Sequence, residues 1–244
     1  MPQYLEPALE TNFKEFRKVV ESRRSVRKYT DESIPREIID ECLDMALMAP
    51  NSSNLQPWEF HVVESPEKRE RLAEICLGQQ TATTAPLMIA VVERRATWRK
   101  TTARILKEWP GGAPPKIVRD YYGKLTHVMY TQGPFDVLGR AKKVGFTAIG
   151  AVKPIMRKPV SGDDMDVWAA KSCALASAHL MLAFRAAGFD TCPMEGFDNN
   201  RANKLLKLPS DATINMIISV GRRAEDGVFA PRYRLPREEV IHYV

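Results

Sequence analysis

Apolar positions along the chain fall into runs whose spacing indicates their secondary structure. Between 33 and 49, Ile38, Ile39, Cys42, Leu43 and Ala46 recur at helical spacing, with Ser33 and Pro35 opening the run. Residues 58–64, WEFHVVE, alternate and are rich in β-branched and aromatic side chains, the pattern of a strand. Ser65, Pro66 and Glu67 supply an N-cap, a first-turn proline and a first-turn acid, so a helix follows to about Leu77. The unbroken apolar run 86–92, PLMIAVV, is that of a strand buried on both faces. Residues 167–187 are apolar almost all round, which predicts a helix buried on every side and stopped by Gly188. That helix would be ~31 Å long, more than one small domain readily surrounds, so a second subunit is expected to supply part of its cover. Residues 199–206 read as a short helix closed by Pro209, and 213–220, TINMIISV, as another buried strand. Strands alternating with helices, without tandem hairpins, give an α+β or α/β sandwich in which helices cover a central sheet.

Residues 94–166 interrupt this order. Prolines and glycines are scattered through them, and only 96–109 and 116–130 suggest helix. They read as a variable, lid-like excursion from one domain spanning 1–244.

Composition adds bounds. With 44% hydrophobic and 27% charged residues over 244 positions, the chain can bury a core without staples. No apolar run approaches the roughly 18 residues of a membrane span, and no membrane partner is expected. The mixed-charge start, MPQYLEPALETNFKEF, lacks the apolar segment of a secretory signal. Cys42, Cys76, Cys173 and Cys192 lie far apart among apolar or small neighbours, with no CxxC. They are expected to be buried and reduced, to hold no metal, and to belong to a cytoplasmic protein.

The net charge of +6 is local: nine basic and two acidic residues between Arg94 and Lys124 give that stretch +7 and leave −1 for the rest. A stretch so charged repels itself, so an anionic ligand is expected beside it, with solvated or paired side chains as the plainer alternative. Its tryptophans and tyrosines also admit a nucleic-acid-binding reading. A basic lid is simpler, and no nucleic-acid partner is expected.

Four clusters carry residue types suited to binding. Arg23, Arg24, Ser25 and Arg27, in RRSVRKY, offer guanidinium forks and a hydroxyl that match phosphate oxygens. Pro50, Asn51, Ser52, Ser53 and Asn54 crowd amides and hydroxyls into a loop that can grip a polar heteroaromatic ring. Pro193, Met194, Glu195 and Gly196 place a glycine where backbone N–H groups can approach a flat ligand. Arg232 and Arg234 form a second phosphate-suited pair. Each alone also reads as an ordinary surface turn or basic tail. His61, His127, His179 and His242 lie in none of the clusters, and no GxGxxG marks a Rossmann dehydrogenase.

Taken in order, RRSVRKY, APNSSNLQPW, PMEGF after an alanine-rich helix, and RYRLP resemble the FMN-dependent nitroreductase family. The resemblance runs from about Glu21 to the C-terminus, with 94–166 matching least. It implies an α+β fold, an α/β sandwich whose central, mostly antiparallel sheet is flanked by helices, in an intertwined homodimer binding one FMN per subunit at the interface. On this resemblance Arg23, Ser25, Arg232 and Arg234 hold the phosphate and ribityl chain, with Arg24 alongside and Arg27 near N1 and O2 of the ring. Pro50, Asn51, Ser52, Ser53 and Asn54 reach the flavin from the partner subunit. Glu195 and Gly196 form the turn facing N5, with Pro193 and Met194 also in the cofactor site, and Gln79 or Gln80 sets an amide beside the ring. Arg24 stands where some members have histidine, and Arg27 and Arg232 where some have lysine.

The implied activity uses NADH or NADPH to reduce nitroaromatics, quinones or related small-molecule acceptors in alternating half-reactions. The chemistry resides in FMN, and no side chain is nominated as acid or base. The rival readings are a reductive dehalogenase or other dehydrogenase of the same fold, and a flavin-binding module without turnover.

Overall fold

The computed structural model describes residues 6–244, so the first five residues of the N-terminal segment read above lie outside it. Strands β1 (Trp58–Val63), β2 (Leu87–Arg94), β3 (Asp190–Met194) and β4 (Ala212–Gly221) form one sheet in the order β1-β2-β4-β3. Every pairing is antiparallel. The continuous apolar run in β2 follows from its central place: Met88, Ala90 and Val92 enter one core while Leu87, Ile89 and Val91 enter the other.

Eleven helices complete the description: α1 (Phe13–Ser22), α2 (Arg36–Leu47), α3 (Pro66–Ile75), α4 (Gln80–Thr83), α5 (Trp98–Lys107), α6 (Lys116–Asp120), α7 (Thr126–Tyr130), α8 (Val137–Val152), α9 (Gly162–Ala186), α10 (Asn199–Leu205) and α11 (Arg237–Val240). α2 and α9 pack on one face of the sheet, and α3, α4 and α10 on the other. Ser65 caps α3 through the Lys68 N–H at 3.5 Å, with Pro66 in the first turn, as its sequence signals indicate. α2 begins at Arg36 with no side-chain cap, two residues later than the Ser33–Pro35 signal suggests.

The long helix α9 extends beyond its apolar run. It starts earlier, at a capping box between Ser161 and Asp164, and within one chain it is buried along one face only. Trp168, Cys173, Ala176, Leu180 and Phe184 face inward, while Val167, Ala174, Leu175 and Ala178 are exposed. The sheet, α2, α1 and, at its N-terminal end, residues of the 94–166 excursion supply its neighbours, and the apolar side chains at Val167, Ala174 and Leu175 are unmatched inside the chain. Gly188 ends it in the left-handed region at φ +87°.

The 94–166 excursion is ordered by a third core in which Trp98, Met129, Tyr130 and Val160 pack with Leu55, Met165 and Trp168. α6 runs through a π-helical turn at Tyr121–Leu125 into α7, giving the helix expected over 116–130. α8 is the element that the sequence concealed, because Gly139, Gly145 and Gly150 interrupt its pattern. Gly139 has a packing reason: a Cβ there would come within 2.7 Å of the Val160 carbonyl oxygen.

Candidate active site

Residues 23–29 lie along the outer edge of β3. Ser25 forms a parallel bridge with Thr191, and the Val26 N–H donates to the Thr191 carbonyl at 3.1 Å. Extended backbone turns successive side chains to opposite sides. Arg23, Ser25 and Arg27 therefore share one side, and Arg24, Val26 and Lys28 the other. Val26 fills the core, and Arg24 donates to the Ala230 carbonyl at 2.5 Å. Arg24 also lines a cavity of ≈ 670 Å³ with Arg185, Arg222, Arg223 and Arg232.

A buried hydrogen-bond network fixes this segment. The Tyr29 hydroxyl lies 2.9 Å from Ser219 Oγ, which is 2.7 Å from Thr81 Oγ1, and Thr81 donates to the Val26 carbonyl at 3.0 Å. Burial pushes the Tyr29 phenol well above its ordinary range.

The tail returns to the same place. Arg232 Nη2 donates to the Arg23 carbonyl at 2.6 Å. Burial and the like charges of Arg232 and Arg234 lower the pKa of Arg23. Among the described residues no carboxylate forms an ion pair with Arg23, Arg24, Arg27, Arg232 or Arg234. Cys192 lies beneath them; burial raises its thiol pKa, against the opposing pull of Arg27 and Arg23.

The neighbouring Asp190 is 3% exposed and is already engaged, by Arg223 at 2.7 Å and Arg185 at 3.0 Å. Sequence reasoning passed over Asp190, Thr81 and Ser219. An acid opening the short apolar strand DTCPM was the available signal for the first; the two hydroxyls carried none.

Pro193 and Met194 end β3, and Glu195 and Gly196 follow as an exposed turn. Of the two glutamines, Gln79 reaches this turn: its side-chain amide donates to the Gly196 carbonyl at 2.8 Å and to the Cys76 carbonyl at 2.9 Å. Gln80 is exposed at the start of α4, where its carbonyl accepts from Thr84 Oγ1 at 2.8 Å. The structure thus puts Gln79, and not Gln80, at the turn.

Pro50, Asn51, Ser52, Ser53 and Asn54 are elsewhere. Their loop leads into β1, the opposite edge of the sheet from β3, ~14 Å across at the usual strand spacing. Ser53, Asn54 and Gln56 adopt left-handed φ values of 61°, 48° and 48°, a strained run for residues other than glycine. The excursion holds it: Ser53 Oγ lies 2.7 Å from the Tyr121 hydroxyl and 3.0 Å from that of Tyr130, and Tyr122 donates to the Ser53 carbonyl at 3.0 Å. Asn54 and Gln56 wall a cavity of ≈ 1150 Å³ together with Thr101, Arg104, Ile105 and Trp109.

The basic stretch is partly answered from outside. Glu59 and Asp211 pair with Arg94, and Asp166 pairs with Arg95, so the excess of seven falls to four. Arg104–Glu108 and Lys124–Asp120 pair within it. Arg99 stacks on Trp98 at 4.4 Å and donates to Thr131.

The chain is similar to known proteins over most of its length. The model of the Nitroreductase family matches residues 20–222. An "NADH dehydrogenase" of Thermus thermophilus is 29% identical over 219 residues, covering 90% of this chain and 91% of its own. The Bacillus subtilis protein YdgI, named as an NAD(P)H nitroreductase, is 30% identical over 234 residues, covering 94% and 97%. A crystal structure of a nitroreductase from Exiguobacterium sibiricum in complex with FMN shares the fold, with a TM-score of 0.68, 23% identity and coverage of 98% and 99%.

Proposed function

Since the chain belongs to the nitroreductase family, we propose that it is an FMN-dependent NAD(P)H oxidoreductase that works as a homodimer and reduces nitroaromatics, quinones or related acceptors. The observation that carries the cofactor assignment is the arginine group at the β3 edge. Arg23, Arg232 and Arg234 are like charges held together, Arg23 half-buried and the other two exposed, with no carboxylate paired to them among the described residues. Such a group is completed by a dianion with several acceptor oxygens, as a phosphate monoester is. The relative crystallised with FMN and the relatives named for NADH and NAD(P)H point the same way.

Arg23, Ser25, Arg232 and Arg234 bind the phosphate and ribityl chain, and Arg27, on the same side of the segment, offers a cation to the ring. Gln79 orients the Glu195–Gly196 turn by holding the Gly196 carbonyl. The N–H of Gly196 takes part in no hydrogen bond among the described residues, so it is free to face a flat ligand. FMN, when bound, supplies the redox chemistry, accepting electrons from NAD(P)H and passing them to the acceptor in alternating half-reactions.

Within one chain the Pro50–Asn54 loop sits at the far edge of the sheet, so it serves the site of a second copy. Packing of two chains across the exposed face of α9 covers Val167, Ala174 and Leu175 and can bring the loop of each to the arginine group of the other. The excursion that anchors the loop then roofs the partner's site and excludes water.

The absorbance spectrum of the purified protein tests the reading. A flavin spectrum that bleaches anaerobically with NADH or NADPH and returns on adding a nitroaromatic or a quinone supports it. A flavin that does not bleach indicates a binding module without turnover, and a protein that takes up no FMN refutes the cofactor assignment.

A further inference from the structure

α8 meets the rest of the chain along one narrow strip. Gly139 is buried, Lys142, Phe146 and Gly150 are half-buried, and every other residue of the helix is exposed. Lys142 is consumed in this contact, donating to the carbonyls of Val128, Met129 and Thr131 at 2.6–2.8 Å. Phe146 packs on the third core.

On the side nearly opposite this strip, helical spacing lines up Val137, Ala141, Val144, Ala148 and Val152 within a sector of about 80°. Leu138 and Ile149 widen it. These are not grazing exposures: Val144 is 72% and Val152 89% exposed, and Phe135, just before the helix, is 94% exposed. Arg140 and Lys143 occupy the flank between the apolar face and the strip. From 133 to 159 the chain has six basic residues, Arg140, Lys142, Lys143, Lys153, Arg157 and Lys158, against one acid, Asp136. Of these, among the described residues, only Lys158 forms an ion pair, with Asp164 at 3.8 Å.

We propose that α8 docks on an anionic lipid surface, its apolar face entering the headgroup region and its basic flank meeting the lipid phosphates. An apolar sector bordered by cations on one helix is the arrangement that binds in the plane of a charged membrane interface. A second copy fits less well, because an isologous contact through this face would bring the two basic flanks together. The exposed apolar face of α9 is also available for self-association without that repulsion. The expectation of no membrane partner concerned spanning segments, and the one helix among the described residues long and apolar enough to span, α9, is half buried in the fold; a helix lying in the interface needs only a stripe. The proposal is independent of the flavin assignment.

The test uses the full chain with Val144→Cys labelled by an environment-sensitive dye, the four native cysteines being buried. Vesicles of phosphatidylcholine with phosphatidylglycerol are expected to shift the dye to the blue. Salt should reverse the shift, and phosphatidylcholine alone should not produce it. In vesicle flotation, Val144→Glu should lower partitioning of the otherwise native protein at least about tenfold, with circular dichroism unchanged. Absence of flotation with anionic vesicles overturns the proposal. So does a concentration-dependent blue shift before any lipid is added, because it assigns the face to a second copy.

Discussion

Arg232 donates a hydrogen bond to the carbonyl oxygen of Arg23, 209 positions earlier in the chain, at 2.6 Å. The bond draws the C-terminal tail back to the β3 edge and sets the two guanidinium groups near one another, with Arg234 close enough to lower the pKa of Arg23 further. A fold that concentrates like charge in this way is stabilised by the anion that neutralises it.

Arg23→Ala and Arg234→Ala should therefore each remove a charged hydrogen bond worth about 1.5–3 kcal/mol and weaken FMN binding roughly 10- to 150-fold. Titration of FMN into the apo variants reads this directly. Affinities within twofold of wild type would place the phosphate elsewhere.

Ser219 joins the Tyr29 hydroxyl, Thr81 and the Cys192 carbonyl in one buried network. Ser219→Ala leaves the Tyr29 and Thr81 hydroxyls short of a partner and should cost about 1–3 kcal/mol of stability. FMN binding should weaken with it, since the network fixes the segment carrying Arg23, Ser25 and Arg27. Urea unfolding that shows an unchanged midpoint would deny the network its structural role.

The buried thiols give a pH dependence of definite sign. Burial pushes Cys76 up to about 11 and, together with Glu41, Cys42 up to about 12, from an ordinary value of 9.0. Above pH 9 the unfolded chain releases these protons while the folded chain retains them, so the stability they contribute is intact below pH 9 and falls as pH rises towards 11 to 12. Urea midpoints measured at neutral pH and at about pH 10 should show the loss, and Cys76→Ala should reduce it. A thiol reagent should find these cysteines unreactive until the protein unfolds.

Much of the sheet was legible because β2 and β4 are continuous apolar runs and β1 alternates. β3 was not: Asp190, Thr191 and Pro193 make DTCPM look like a turn, and only its pairing with β4 identifies it. α8 was hidden by its three glycines, Gly139, Gly145 and Gly150, which lower helix propensity although Val137, Ala141, Val144, Ala148 and Val152 keep helical spacing. The arginine group was legible as composition, and the alternation that sends Arg24 away from Arg23 and Ser25 required the extended backbone beside β3. The choice between Gln79 and Gln80 depended on the capping geometry of α4, which the residue types do not encode. The apolar composition of α9 reports what its faces need, and one chain supplies only part of that cover.

The proposed flavin site is shared between two chains, with the arginine group from one and the Pro50–Asn54 loop from the other. Mixing subunits tests this most directly. One parent carries Arg23→Ala and Arg234→Ala, the other Ser52→Ala and Asn54→Ala, and each alone should bind FMN poorly. In the hybrid dimer one site inherits both defects and the other inherits neither, so tight FMN binding should return at one flavin per dimer. A hybrid that binds FMN no better than its parents, or a wild-type monomer that retains FMN at high dilution, would contradict the shared site.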